Sequence, residues 1–190
     1  TGETLLFTAT GTFDNKNAGT GKTVTINASL SDGNNGKASN YTFASSGNQA
    51  NPTANITQKE VNITGITAAS KTYDGNTSAT LNTGSASFTG MIQNDNLSVT
   101  ASGAFVDKNV GTGKTVNITG ITLGGNDAGN YNLSSNTAST TASITQKELT
   151  YTGITASNKT YDGNPTATLT LPDNVLTGLV TGETLGLTAT

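Results

Sequence analysis

The stretch "FVDKNVGTGKTVNITGITL", Phe105–Leu123, decides the fold class. Its second half alternates apolar Val, Ile and Leu with polar Thr and Asn, which is the pattern of a half-buried β-strand. Clusters rich in Gly, Asn and Asp separate such segments and predict turns, and no segment has a convincing helical period. The sequence therefore predicts an all-β (mostly-β) fold. Further strands are predicted at Thr23–Leu30, Glu60–Thr67, Asn96–Phe105, Ala142–Thr155 and Thr166–Leu171.

The same stretch also reveals an internal repeat. Its opening, "FVDKNVGTGKTV", echoes "FDNKNAGTGKTV" at Phe13–Val24, 92 residues earlier. "ITQKE" at Ile56–Glu60 returns 88 residues later, and so does "KTYDGN" at Lys71–Asn76. The four-residue difference arises in longer loops between Val24 and Ile56. A unit of about 88 residues exceeds a solenoid coil and suits a small domain used in tandem.

These offsets divide the chain into three repeats. Residues 1–60 are the carboxyl-terminal part of a first repeat, 61–148 form a complete second repeat, and 149–190 are the amino-terminal part of a third. An alternative phase gives two units, 1–92 and 93–180. The predicted strand Ala142–Thr155 crosses a boundary without glycine until Gly153, so we expect stiffly joined domains in an elongated rod.

Composition excludes several function classes. The chain has no cysteine and no histidine, which removes thiol chemistry and the commonest general base and metal ligand. Only lone carboxylates such as Asp107 and Glu148 remain, so we expect no enzyme. A pI near 4.7 without a basic cluster speaks against nucleic acid. No apolar run is long enough for a membrane span, so no membrane insertion is expected in this segment.

The hexapeptide "KTYDGN" is interpreted as a structural turn motif. Asp-Gly favours a tight turn, because glycine tolerates positive φ and aspartate caps its own backbone. Tyrosine would lay its ring against the core and keep its hydroxyl in water. A ligand contact is the alternative. The motif residues are Tyr73, Asp74 and Gly75 in one copy and Tyr161, Asp162 and Gly163 in the other.

Three further motifs suggest chemistry without completing it. "GTGKTV" imitates a phosphate-binding loop, but Lys16 and Lys108 stand where that loop needs glycine. Asp107 and Asp127 lie in loops and are weak calcium candidates, since calcium wants six to eight oxygen ligands. Otherwise no cofactor is expected. Lysines such as Lys71 and Lys159 would form isopeptide crosslinks only if buried beside an asparagine and a catalytic carboxylate.

Taken together, these motifs resemble a known family. "KTYDGN", "DKNVGTGKTVNITGITLGGNDAGNYNL" (Asp107–Leu133) and "ASITQKEL" (Ala142–Leu149) resemble the YDG repeat domain of large bacterial surface adhesins of the filamentous-haemagglutinin-like kind. The resemblance implies a mostly-β domain, β-grasp-like or sandwich-like, in a secreted stalk. It carries onto the six turn residues and onto Tyr131 of "AGNY". It implies no catalytic residues.

From this we expect a structural repeat of a bacterial cell-surface adhesin or extracellular fibre, acting as a stiff spacer or stalk. Its partners would be neighbouring repeats of the same long chain. One alternative is an adhesive module that binds host or matrix glycans. Another is a self-assembling filament subunit, in which the partial repeat at each end is completed by strand exchange with a like subunit.

Overall fold

The structure, a computed structural model, describes residues 2–173 and 175–186 and is all-β, as predicted. Two short 3₁₀ turns, Ala38–Asn40 and Ala128–Asn130, are the helical segments of this part of the chain. The strands are β1 (Leu5–Phe13), β2 (Gly19–Asp32), β3 (Thr53–Ile56), β4 (Lys59–Thr64), β5 (Thr67–Ala68), β6 (Lys71–Thr72), β7 (Ser78–Ala79), β8 (Leu81–Asn82), β9 (Ser87–Thr89), β10 (Ser98–Phe105), β11 (Gly111–Gly124), β12 (Tyr131–Leu133), β13 (Ala138–Thr145), β14 (Thr150–Tyr151), β15 (Thr155–Ala156), β16 (Leu169–Thr170) and β17 (Leu176–Thr177).

The strands belong to two compact units. The first comprises Thr1–Thr64, Ser87–Val99 and Leu123–Ser134, and the second comprises Gly65–Ala86, Thr100–Thr122 and Ser135–Thr190. These units are defined by contacts and the repeats by sequence, and their limits differ. The repeat limits 1–60, 61–148 and 149–190, and the alternative limits, therefore stay a prediction.

The first unit contains two three-stranded sheets. In one, β1 pairs antiparallel with β2 over nine residues, and β3 lies on the other side of β2. In the other, β4 lies between β12, which is parallel to it, and β9, which is antiparallel. The parallel pairing places Tyr131 opposite Lys59 at the start of β4.

The second unit holds most of a five-stranded sheet with the order β6-β13-β11-β10-β7. The long β11 is central, and the two-residue strands β6 and β7 form the edges. Three two-stranded pairs, β5 with β8, β14 with β17 and β15 with β16, accompany it.

The predicted alternation is confirmed along β11. Val116 and Ile118 are fully buried, whereas Thr115, Asn117 and Thr119 on either side of them are exposed. Period-2 alternation places Val116 and Ile118 on one face of β11, and this face is buried. The alternation is interrupted at Gly120, where φ is +62°, before the buried Ile121. The core cluster consists of Phe105, Val116, Ala142 and Ile144, against which Ala68, Tyr73, Ala79 and Leu81 pack.

Several predicted strands are shorter in the structure, and the one expected at Thr166–Leu171 is reduced to β16, Leu169–Thr170. The strand expected at Glu60–Thr67 is interrupted at Gly65, where φ is +82°. The strand expected at Ala142–Thr155 was wrong in extent: β13 ends at Thr145 and β14 begins at Thr150. Strand β13 pairs with β11 as far as Ile144 and with β6 as far as Thr145, and no register partner is found for residues 146–149 among the described residues.

Candidate functional site

The first hexapeptide forms a turn closed by its lysine. The Lys71 ammonium donates to Asp74 Oδ1 (2.7 Å), Asn76 Oδ1 (3.0 Å) and the Asn76 carbonyl (2.8 Å). Asp74 Oδ1 also accepts from the Asn76 amide at 3.1 Å, and Gly75 takes φ +82°. The Lys71 hydrogen bond lowers the pKa of Asp74, so the carboxylate stays charged.

The second hexapeptide repeats this turn bond for bond. The Lys159 ammonium donates to Asp162 Oδ1 (2.9 Å), Asn164 Oδ1 (3.0 Å) and the Asn164 carbonyl (2.7 Å). Gly163 has φ +76°. The lysine is thus part of the turn chemistry, a role that the Asp-Gly signal alone did not indicate.

The first hexapeptide turn also brings together the lysine, asparagine and carboxylate that an isopeptide crosslink requires. Lys71 Nζ lies 3.0 Å from Asn76 Oδ1, with Asp74 beside both. The reaction needs a carboxylic acid that can protonate the amide. Because the pKa of Asp74 is lowered, this carboxyl is held in its charged form. The geometry therefore supports a hydrogen-bonded turn without a covalent crosslink.

The tyrosines of the two turns differ. Tyr73 is half-buried against the core cluster and its hydroxyl donates to Glu183 Oε1, a close contact that raises the pKa of Tyr73. Tyr161 is 94% exposed. In the division predicted from the sequence, Glu183 belongs to the third repeat, whereas Tyr73 belongs to the second.

Glu183 accepts a second donor from the second repeat. Lys108 Nζ lies 3.2 Å from Glu183 Oε1. The hydrogen bonds from Tyr73 and then from Lys108 lower the pKa of Glu183, and the bond to Glu183 raises the pKa of Lys108. All three residues lie in the second compact unit.

An equivalent contact lies in the first compact unit. Lys16 Nζ of the first repeat is 3.1 Å from Asp95 Oδ1 of the second. Lys16 precedes Lys108 by 92 residues and Asp95 precedes Glu183 by 88, which are the two repeat offsets. We call residues that occupy the same position in different repeats counterparts. We call each contact between a carboxylate of one repeat and a lysine of the preceding repeat a carboxylate joint.

Tyr131 completes the joint at Asp95. Its hydroxyl donates to Asp95 Oδ2 (2.5 Å) and accepts from the Ile92 amide (2.9 Å), and the residue is buried. The hydrogen bond from Tyr131, followed by that from Lys16, lowers the pKa of Asp95. The tyrosine of "ASNY" in the first repeat makes the same kind of bond, from Tyr41 to Glu3 Oε2 at 2.9 Å.

Backbone contacts reinforce the first joint. The Ala18 amide of the first repeat donates to Asn130 Oδ1 at 2.8 Å, and Gln58 Nε2 donates to the Gly129 carbonyl at 3.0 Å. Asp127 accepts from the Asn96 amide at 2.8 Å and from Lys16 at 3.4 Å. This calcium candidate is therefore already engaged by a lysine.

The other calcium candidate is engaged in the same way. Asp107 Oδ1 accepts from Lys114 Nζ (2.7 Å) and from the Asn109 amide (2.8 Å), and these bonds lower the pKa of Asp107. Among residues 2–173 and 175–186, no group of three or more metal-binding side chains occurs.

The lysine of "GTGKTV" has a structural place in both repeats. Lys22, which is buried, binds Asp14 Oδ1 (3.0 Å) and Asn15 Oδ1 (2.6 Å), as Lys114 binds Asp107. The motif lies on β2 and on β11, where the ladder to the neighbouring strand shifts register. A P-loop must instead open a helix at its phosphate site, so this lysine fastens the preceding loop.

A cavity accompanies each joint. That at Asp95 has a volume of about 290 Å³, and that at Glu183 about 530 Å³. Several lining residues are counterparts. These pairs are Ala18 and Val110, Lys59 and Lys147, Ile92 and Val180, and Asp95 and Glu183.

Sequence reasoning missed the acceptors and lysines of the joints. Asp95 and Glu183 stand in dissimilar surroundings, "MIQNDN" and "LVTGET", which conceals their equivalence. The available signal was positional: both lie six residues after the threonine of a "TG" pair that recurs with the repeat offset.

Comparison with known families agrees with these motifs. The model of the YDG domain matches residues 1–50 and 57–140. The chain belongs to the YDG domain family. No curated protein and no solved structure matches it. Within the described residues, the YDG domain chain contains no helix long and apolar enough to cross a membrane.

Proposed function

We propose that this YDG domain chain is a stiff spacer segment of a bacterial cell-surface adhesin or extracellular fibre, with neighbouring repeats of the same long chain as partners and without a catalytic role. The observation that carries the proposal is the carboxylate joint. A lysine of one repeat binds a carboxylate of the next at Lys16–Asp95 and again at Lys108–Glu183. Because this contact recurs with the repeat offset, it is a property of the repeat. The same contact could therefore join each repeat to the next along a tandem array.

The joint resists bending because several bonds act together. A single exposed ion pair contributes little to stability, since water and salt screen it. At the first joint, however, the Lys16 pair is accompanied by the bonds from Ala18 to Asn130 and from Gln58 to Gly129. The covalent link is short as well, because β3 ends at Ile56 and β4 begins at Lys59.

The proposal is tested by measuring how widely the distance between two repeats varies. The chain has no cysteine, so spin labels attach only to introduced ones. Thr25→Cys and Ser87→Cys place labels on exposed residues of the first and second repeats, and both residues lie in the first compact unit. Pulsed electron–electron double resonance should give a narrow distribution of the distance between the two labels. The distribution should broaden when Lys16→Met and Asp95→Asn are added.

Lys37→Met provides the matched control. Lys37 has the same exposed side-chain fraction as Lys16, 71%, and pairs with Asp32 at 3.2 Å inside the first repeat. Its loss should leave the distribution unchanged. A broad distribution in the parent chain would contradict the stiff-spacer proposal.

The cellular location has its own test. Antibodies raised against this chain should label intact cells of the source bacterium, because an extracellular spacer is accessible without permeabilisation. Labelling only after permeabilisation would contradict the surface location and leave the stiffness result untouched.

A second candidate function is glycan binding, and one feature favours it. Phe7 and Phe43 meet edge to face with ring centroids 6.2 Å apart, beside a cavity of about 350 Å³ lined by Asn48, Gln49 and Asn51. Exposed aromatic rings near amides suit sugars. The counterpart of Phe7 is Val99, however, which is buried, so this face is better suited to packing against protein.

A further inference from the structure

The hexapeptide turn depends on a chemically labile pair of residues. Gly75 and Gly163 have φ of +82° and +76°, a region that side chains disfavour, so the turn requires a glycine after its aspartate. The same glycine leaves the amide nitrogen beside the aspartate unhindered, because it has no Cβ to shield that nitrogen. An Asp-Gly pair is therefore the aspartate sequence most open to attack by its own backbone on the side-chain carboxyl.

This attack converts aspartate to isoaspartate in two steps. First, the glycine nitrogen forms a bond to the aspartate Cγ, the Cγ–OH bond breaks, and the hydroxyl leaves as water with the amide proton. Water then opens the resulting succinimide ring at the former backbone carbonyl, so that the chain runs through the aspartate Cβ. The backbone becomes longer and the mass is unchanged. The first step needs the neutral carboxylic acid, because a carboxylate is a poor electrophile without a leaving hydroxyl.

Every Asp-Gly pair of the sequence has a lysine at its aspartate. There are three such pairs, which begin at Asp32, Asp74 and Asp162. The contacts are Lys37 Nζ to Asp32 Oδ2 (3.2 Å), Lys71 Nζ to Asp74 Oδ1 (2.7 Å) and Lys159 Nζ to Asp162 Oδ1 (2.9 Å). An ammonium group therefore lies within salt-bridge distance of each carboxylate that is at risk.

The contact at Asp32 is reached by a different local sequence. In the two hexapeptides the lysine comes three residues before the aspartate, whereas Lys37 comes five residues after Asp32. Asp32 also lies outside the hexapeptides, in "SDGNNGK". The lysine contact thus accompanies the Asp-Gly pair itself and is more than a consequence of the repeated motif.

These contacts hold the carboxyl groups in the form that does not react. The hydrogen bond from the lysine is the main cause that lowers the pKa of Asp74 and of Asp162. At Asp32 the bond from the Ala38 amide lowers the pKa first, followed by the bond from Lys37. A hydrogen bond to the charged form favours that form, so the neutral acid becomes rarer at each pair.

A backbone amide fixes the same carboxylate oxygen in both hexapeptides. The Asn76 amide donates to Asp74 Oδ1 at 3.1 Å, and the Asn164 amide donates to Asp162 Oδ1 at 3.1 Å. Each Oδ1 therefore accepts from two donors, which restrain the carboxyl group against rotation towards the glycine nitrogen. Geometry and charge act in the same direction.

We propose that the lysine beside each Asp-Gly pair protects the aspartate from conversion to isoaspartate. The first residue of the hexapeptide thus guards a modification site at the fourth. The turn is closed by bonds among Lys71, Asp74 and Asn76, and a longer backbone at Asp74 would open it. The proposal stands apart from the spacer role, since it concerns the covalent integrity of the backbone.

Ageing of the folded protein tests the proposal. Parent and variant chains, shown to be folded by circular dichroism, are incubated in mildly acidic buffer. Peptide mapping with electron-transfer fragmentation then measures isoaspartate at each pair. Lys71→Met should raise the rate at Asp74 several-fold and leave Asp162 at the parent rate, and Lys159→Met should do the reverse. Each hexapeptide is thus the control for the other, and unchanged rates in both variants would overturn the proposal.

A further variant separates the lysine contact from a general loosening of the turn. Asn76→Ala removes the Oδ1 that accepts from Lys71 at 3.0 Å and from the Ser78 amide at 3.0 Å. The contact between Lys71 and Asp74 does not involve this oxygen. The rate at Asp74 should therefore stay close to that of the parent. A rise equal to that of Lys71→Met would show that mobility of the turn controls the reaction, and the protective role of the lysine would be rejected.

Unfolded protein provides the last control. In concentrated urea the parent and Lys71→Met should form isoaspartate at Asp74 at the same rate, because neither chain has the turn. A difference that persists in urea would assign the protection to the local sequence and overturn the structural explanation.

Discussion

In the second repeat the ring of Tyr73 is half-buried and its hydroxyl donates to Glu183, whereas in the third repeat Tyr161 is 94% exposed. The turns that carry these tyrosines are alike. Lys71 and Lys159 each make three hydrogen bonds to the same positions of the hexapeptide. The difference therefore lies outside the hexapeptide.

The comparison separates local from long-range information. Six residues suffice for the turn, because its donors and acceptors all lie within it. The place of the tyrosine depends on a core cluster distant in sequence and on a carboxylate 110 residues away. The repeated motif thus specifies a turn, and the surrounding repeat specifies what the tyrosine contacts.

The largest expected effect compares Phe105 of the core cluster with its counterpart in the first repeat, Phe13. Phe105→Ala should lower the free energy of unfolding by about 3–5 kcal/mol, because it empties a fully packed site. Phe13→Ala should cost about 1 kcal/mol, since its ring is half-buried and less transfer free energy is at stake. Urea unfolding of dilute protein measures both free energies, and equal losses in the two variants would contradict the expected difference between these positions.

The turn glycines should give the next largest effects. Gly163→Ala should cost about 1–2 kcal/mol through its positive φ, with open space around the new Cβ. Gly75→Ala should cost about 2–3 kcal/mol, because its Cβ would also lie 2.8 Å from Val180 Cγ1. Urea midpoints of the two variants test the ranking, which fails if Gly163→Ala is the more harmful.

The sequence is sufficient to predict those features that depend on interactions between neighbouring residues along the chain. Alternation in Thr115–Leu123 predicts the strand β11 and its buried face, and Asp-Gly predicts the turns. The repeat is visible in the chain offsets of 88 and 92 residues between identical segments. Each of these signals is periodic or local, so one sequence can carry it.

The joints could not be predicted in the same way. Lys16 and Asp95 are 79 residues apart, and Tyr73 and Glu183 are 110 apart. Pairing at such separations depends on how sheets place their loops, and a lone lysine or carboxylate has no pattern that names its partner. The same reason explains the misplaced end of β13, because its pairing with β11 and β6, which are distant in sequence, ends at Ile144 and Thr145.

The two tyrosines provide a smaller contrast. Tyr73→Phe removes the hydroxyl that donates to Glu183 and should lower the thermal midpoint. Tyr161→Phe should leave it unchanged, because that side chain is almost fully exposed. Differential scanning calorimetry at low concentration measures both, and an equal fall would show that the hydroxyl acts in the turn itself.

The smallest expected effect is the pH dependence of the joint at Glu183. Tyr73 and Lys108 lower the pKa of Glu183 below its ordinary value of 4.5, so the charged form stabilises the folded state. This contribution is present above the ordinary value and is lost as the pH falls through the lowered one. Glu183→Gln should therefore have a lower urea midpoint than the parent at neutral pH, and the two should converge in acid. Glu148→Gln changes the net charge equally, and Glu148 has no ion pair among the described residues, so it should follow the parent throughout. A Glu183→Gln deficit that persists undiminished in acid would mean that the carboxylate charge is not what the joint uses.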